Sequence, residues 1–320
     1  IRLNTDSQRL EFFAQDRWYE FATDTPNLEG GARALSMGGQ APGDINIVEF
    51  ITIPIQGNTT DFGDLNVTRT QASGFASRVR AFNAGGMVSP GTYKNDIDFH
   101  EFSSTGNFND FGNLTATARL TASFSNSTRG VITGGQPRND VMDFITMSQT
   151  GNAIDFGDLP QSDLFGTGLA SPTRGLIKDG TDNDATISFV TIATTGDAQN
   201  FGDLTIVRGT SVQGAANATR GIFAGGNGPS PNTPSNKEIQ FVTIATLGNS
   251  TEFGELTRAT AESNAGASDP TRAVFMGNGP GIGSVIDYIA ISTGGDATDF
   301  GDLSGNRSHN SGCSNAHGGL

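Results

Sequence analysis

The sequence predicts an all-β fold, a six-bladed β-propeller of four-stranded repeats preceded by a small N-terminal β element. Three observations carry this expectation. A motif of the type Asp-Phe-Gly-Asp-Leu recurs six times, an aromatic lies 12 residues before each of its phenylalanines, and a third recurring element ends in a Gly-Gly doublet or an imperfect copy of it. The imperfect copies are Asp179-Gly180 in the fourth unit and Gly277-Asn278-Gly279 in the sixth. A repeat of this length, too short to bury its own apolar face, belongs to an architecture that stacks copies of one unit.

The copies are Asp61-Phe62-Gly63-Asp64-Leu65, Asp110-Phe111-Gly112-Asn113-Leu114, Asp155-Phe156-Gly157-Asp158-Leu159, Asn200-Phe201-Gly202-Asp203-Leu204, Glu252-Phe253-Gly254-Glu255-Leu256 and Asp299-Phe300-Gly301-Asp302-Leu303. In a protein kinase Asp-Phe-Gly holds magnesium once, beside an HRD loop, a strand lysine and a Gly-rich nucleotide loop. None of those accompanies it here, and a motif built in every repeat is a structural unit. Phe is expected to fill a blade-to-blade layer, Gly to permit close backbone approach, and the flanking Asp or Asn to bond turn amides.

The upstream aromatics are Phe50, Phe99, Phe144, Phe189, Phe241 and Tyr288. Around them the pattern is apolar-x-aromatic-x-x-apolar, as in Ile187, Phe189 and Ile192, rich in β-branched residues and closed by a Thr-Gly-Asn-like turn. That composition reads as strand then turn. The third element begins at Arg33, Arg80, Arg129, Arg174, Arg220 and Arg272, and lies 18 or 19 residues after the preceding repeated Phe. The same distance after Phe300 falls at Gly318, in a segment "NAHGGL" that resembles "NATRGI" at 217–222, so the sixth unit is expected to be completed there. Each unit has room for the Arg strand, the aromatic strand, the Asp-Phe-Gly strand and an Ala/Ser/Asn-rich strand before the next Arg. No stretch has capped helical periodicity. A β-solenoid is the alternative, but its coils are usually shorter, and radial repetition of four-stranded sheets fits better.

Composition agrees with a core of regularly placed Phe between Gly-rich turns: 22 Phe and 44 Gly stand against one Trp and three Tyr. A net charge of −14 argues against nucleic-acid binding, which needs a basic surface. The lone Cys313 supports neither a disulfide framework nor a cysteine zinc site, and His100, His309 and His317 lack metal-ligand spacing. No stretch approaches the roughly 20 apolar residues of a membrane helix, and no signal peptide is visible. Beginning at Ile1 rather than Met, the chain is expected to be a fragment or a processed product. The run from Asp179 through Asp182 to Asp184 has a calcium-like look, but two acids per repeat fall short of the oxygens calcium takes, and an acidic turn is the expected reading. No catalytic residue, metal ligand or cofactor is assigned, because the acids recur symmetrically and no unit gathers an unusual His/Glu/Asp cluster.

Nearly all length variation sits in one connection per unit. From the Arg to the aromatic the spacings are 17, 19, 15, 15, 21 and 16, through residues 40–45, 87–96, 136–140, 181–186, 227–238 and 279–284. In an up-and-down sheet these connections share one face, and loops on a rigid scaffold are where binding usually resides. The two longest supply the candidate ligand-binding residues Tyr93, Lys94, Asn95, Asn227, Asn232 and Lys237. Tyr93 is the loop aromatic, Lys94 and Lys237 bring positive charge that suits anionic glycans, and prolines in 227–238 lower the ordering cost of binding.

Residues 1–30 lie outside the repeat, which occupies 31–320. They alternate apolar and polar residues over two or three short strands, with a turn at Asn4, Thr5, Asp6 and Ser7. Ile1, Arg2, Asn4, Thr5, Ser7, Leu10, Glu11, Phe12 and Trp18 resemble a segment frequent in tail-fibre and related virion proteins of tailed bacteriophages. The repeats resemble kelch-like propellers of marine phage structural proteins, best at 191–204 and 219–226, though they lack the regularly spaced Tyr and Trp of ordinary kelch repeats. The resemblance implies a non-enzymatic, extracellular virion protein of a tail fibre or appendage, presenting the propeller for host-receptor attachment or virion decoration. Its implied partners are other virion proteins and a host-surface glycan or protein, with the homo-oligomeric assembly common among fibre components. A secreted or cell-surface lectin-like propeller of a bacterium is the competing expectation.

Overall fold

The structure is a computed structural model that describes residues 2–4, 9–14, 17–20, 32–180, 184–228, 235–260, 265–277 and 283–320. Strands 2–4, 9–14 and 17–20 form a separate three-stranded antiparallel sheet in sequence order, with Leu3 opposite Leu10 and Phe13 opposite Trp18. Of the expected turn, Thr5 to Ser7 fall outside the described residues.

The repeats form six four-stranded antiparallel sheets arranged as a six-bladed β-propeller. Blade 2 shows the plan: inner strand Ser73–Ala76, then Arg80–Ala84, Asp96–Glu101 and the outer strand Asn109–Asn113. The inner strands neighbour one another in a closed ring around the axis.

The Ala/Ser-rich strand does not end its own repeat, as the sequence reading placed it. It is the inner strand of the following blade, one strand later than the repeat boundary suggests. Ser311–Ser314 accordingly pairs with Arg33–Met37 and makes the first blade from both ends of the repeat array. The physical reason is ring closure: a seam between two complete terminal blades would be held by packing alone, whereas one sheet shared between the chain ends ties them with a ladder of main-chain hydrogen bonds. The segment 315–320 therefore starts no new strand. It folds over the axial channel, where Gly318 N–H donates to Ala216 O at 2.9 Å and His317 Nε2 lies 2.9 Å from Ala76 O.

Six apolar clusters fill the six seams, each drawing residues from two adjacent blades. The repeated motif builds them through a β-bulge. Pairing of Val48 with Gly63 and Glu49 with Asp61 skips Phe62, and the same register shift recurs in every blade. The skipped Phe is thus turned out of the ladder into the seam, as an extra residue in one strand allows. Phe62, Phe111, Phe156, Phe201, Phe253 and Phe300 are all buried. Each meets its upstream aromatic edge-to-face at 5.6–6.2 Å, the contact that a spacing of 12 residues encodes.

The glycine after each Phe has φ between 143° and 159°. A Cβ at Gly202 would overlap the Gly248 carbonyl of the next blade, so here only glycine lets the blades approach. Across that contact Gly248 N–H donates to Phe201 O at 2.9 Å, and Asn249 Oδ1 accepts the Asp203 N–H at 3.0 Å. Equivalent Asn or Asp caps at 3.0–3.1 Å occur in all six seams. The capping side chain comes from the Thr-Gly-Asn-like turn of the neighbouring blade. The motif acid contributes its main chain, and the Asp203 side chain is exposed.

The repeated Arg fastens the same seams. Each guanidinium stacks 4.6–5.1 Å from the aromatic of its own blade. Each also donates to carbonyls of the next blade, as Arg174 does to Ile244 O and Ala245 O at 3.0 Å.

Candidate functional site

Alternating strand direction places two sets of connections on one face: the variable connections and those that lead from an outer strand to the next inner strand. The Thr-Gly-Asn-like turns, the seam arginines and the 315–320 segment share the opposite face. The variable-loop face is therefore free of the repeated seam fastenings at its rim.

Beneath the loops each seam holds a polar contact. The residue before the upstream aromatic is buried: Glu49, Asp98, Asp143, Ser188, Gln240 or Asp287. In five seams it accepts from the residue after the motif leucine of the preceding blade, as Asp143 does from Thr115 N–H at 3.0 Å and Gln240 from Thr205 N–H at 3.0 Å. The sixth partner is Pro160, which has no N–H to give, and there the acceptor is replaced by Ser188. Buried acids also pair with arginines: Asp98 with Arg69 at 2.8 Å, Asp143 with Arg138 at 3.0 Å and Glu49 with Arg307 at 2.9 Å. Burial raises Asp98 and Asp287 above the usual carboxylate range, against the pull of Arg69 and Arg258.

Blade 4 departs from this plan because Asp179 replaces the first glycine of the doublet. Gly180 N–H turns to Asp163 Oδ1 at 2.6 Å, and the buried Lys178 Nζ takes the Arg208 carbonyl at 2.8 Å. Burial, reinforced by Asp179, pushes Asp163 up to about 7; burial brings Asp179 up to about 6 and Lys178 down to about 8. Of the calcium-like run, 181–183 lie outside the described residues. Among the described residues no three His, Cys, Asp or Glu side chains gather in a metal-holding group.

The candidate ligand residues are largely held by the protein itself. Lys94 pairs with Asp96 at 2.9 Å, and Lys237 with Glu255 at 2.5 Å. Asn95 O accepts the Leu114 N–H, and Asn227 Nδ2 donates to Thr210 Oγ1 at 3.1 Å. Asn232 lies outside the described residues. Tyr93 carries the Arg119 guanidinium 4.9 Å from its ring centre. Tyr93, Lys94 and Asn95 thus stand together beside blade 3, while Asn227 and Lys237 sit apart on blade 5.

Arg119 and Gln71 were not legible as site residues. Both lie in the connections leading to inner strands, which vary little in length and carry no loop signal. Arg119 donates through Nε and Nη2 to Gln136 Oε1 at 3.2 and 2.7 Å, and through Nη1 to Gln71 Oε1 at 3.2 Å. Gln71 lines the axial mouth on this face. Fold and face together define a six-bladed propeller with a loop-ringed axial mouth on one side and its ring closure on the other. No protein-family model and no curated protein matches the chain.

Proposed function

We propose that this chain is a non-enzymatic virion protein of a phage tail fibre or appendage that displays the propeller for attachment to a host receptor. The observation that supports it most is the division of labour between faces. The repeated chemistry is spent in the seams, whereas nearly all length variation sits in loops around one axial mouth. A scaffold built to constant spacing with variable loops on one side is suited to presenting a changeable surface. The likeness of the repeats and of residues 1–18 to phage structural proteins supplies the setting.

The test is to shorten 227–238 to the length of 136–140 and to trim 87–96, then measure folding, incorporation into particles and host-cell attachment. Folding and incorporation with impaired attachment are expected. Unchanged attachment by the folded, assembled variant overturns recognition and leaves decoration of the virion. Detection of the protein only as a secreted product, absent from purified particles, overturns the virion setting in favour of a bacterial lectin-like propeller.

A further inference from the structure

The two lysines that suited an anionic glycan are neutralised by Asp96 and Glu255, but among the described residues Arg119 has no such partner: its hydrogen bonds go to Gln136, Gln71 and the Met87 sulfur. Arg69, Arg138, Arg208, Arg258 and Arg307 each face a carboxylate. Arg119 is half-buried at the rim of the axial mouth, where partial desolvation makes an uncompensated cation attract anions more strongly than it would in water.

The mouth is a built rim. Gln71, Leu120, Phe165, Ser211 and His309 all have φ between 54° and 72°, a conformation costly for non-glycine residues. Their main chains link round the axis: Gln71 N–H to His309 O at 3.1 Å, Leu120 N–H to Gln71 O at 2.8 Å, and Phe165 N–H to Leu120 O at 3.1 Å. Below lies a cavity of about 90 Å³, whose lining includes Gln71, Ser73, Thr121 and Thr167 and, among the described residues, no Asp or Glu. That volume has room for several waters, enough for a small polar end group. Because Gln71, which lines this cavity, turns its Oε1 atom to Arg119, its carboxamide leaves its NH₂ donor for a guest. Asp163, packed against Gly166 of the wall, is a carboxyl held substantially protonated near neutral pH.

We infer that the axial mouth on the loop face binds the carboxylate end group of an acidic sugar, with Gln71 as a contact and Arg119 as the compensating charge that also orients Gln71 and Gln136. This rests on the attachment reading and names its ligand class.

The experiment is calorimetric titration of the whole chain with an oligosaccharide ending in a sialic or glucuronic acid, and with its methyl ester. Two variants carry residues that other blades already hold at the same place: Gln71→Leu copies Leu120, and Arg119→Thr copies Thr70 and Thr210. Thermal unfolding checks that both fold. The acid should bind, the ester should bind at least about tenfold more weakly, and each folded variant should lose a similar factor. An acid that does not bind the wild type, an ester that binds equally well, or folded variants with unchanged affinity overturns the inference. Wild-type protein that attaches to host cells yet binds no acidic sugar defeats this inference alone and leaves the attachment reading standing.

Discussion

Asn315 Oδ1 accepts the main-chain N–H of Arg33 at 2.9 Å across a sequence separation of 282 residues. In other blades the same bond is local: Asn126 to Arg129 and Asn217 to Arg220 at 2.8 Å, Asp269 to Arg272 at 2.7 Å, and Ser77 to Arg80 at 3.1 Å. Ring closure thus rebuilds between distant segments a turn that the chain elsewhere makes with neighbours. Asn315→Ala should cost about 1 kcal/mol, as loss of one capping hydrogen bond does. Deleting 311–320 should remove a whole strand and abolish the single cooperative unfolding transition. Denaturant unfolding followed by two probes checks both, and a truncated chain that still unfolds cooperatively with an unchanged midpoint contradicts the closure.

The bulge predicts an ordered series at one motif. Phe201→Ala should cost ~3 to 5 kcal/mol. Gly202→Ala should be severe, because its Cβ would meet the main chain of Gly248 rather than a side chain able to move. Asp203→Ala should be nearly silent, since only its main chain enters the seam, its N–H donating to Asn249 and its carbonyl accepting from Ser250 N–H, whereas Asn249→Ala should cost about 1 kcal/mol. Urea midpoints rank the four; an Asp203 variant worse than the Asn249 variant would show that the acid's side chain matters after all.

Arg174 both stacks on Phe189 and donates through Nη1 to two carbonyls of the next blade. Lysine keeps the charge but lacks the planar guanidinium, so Arg174→Lys should recover only part of what Arg174→Met loses. Comparing the two variants with wild type in thermal unfolding tests this; full recovery by lysine would reduce the clamp to charge alone.

The fourth blade carries the clearest pH signature. Asp163 titrates at about 7 and Asp179 at about 6 when folded, against an ordinary value of 3.8. The folded state therefore binds more protons than the unfolded chain between these values, and this pair's contribution to stability falls as pH rises from about 4 to 7. His317, pushed down to about 4 by burial from 6.5, works oppositely, losing stability as pH falls through that window. Asp163→Asn retains an acceptor for Gly180 N–H but cannot ionise. It should gain most over wild type at pH 8 and least at pH 5 in urea unfolding. An equal difference at both pH values refutes the assignment.

By itself the sequence determined the repeat, its strands, the fixed aromatic spacing and the face on which nearly all length variation falls. These follow from local patterns: β-branched runs, glycine turns, and intervals that a bulged strand pair must keep constant. Only the tertiary structure decided which repeat each inner strand serves, because ring closure is a contact between chain ends that no local pattern marks. It also decided that Asn249, and not Asp203, supplies the cap, since the bond crosses from one blade to the next. The candidate site divided the same way. Tyr93 and Lys94 stood out in a long loop, but Gln71, Arg119 and His309 come from connections of nearly constant length. They become one mouth only when inner strands close around an axis, bringing the same position of successive repeats to a common centre.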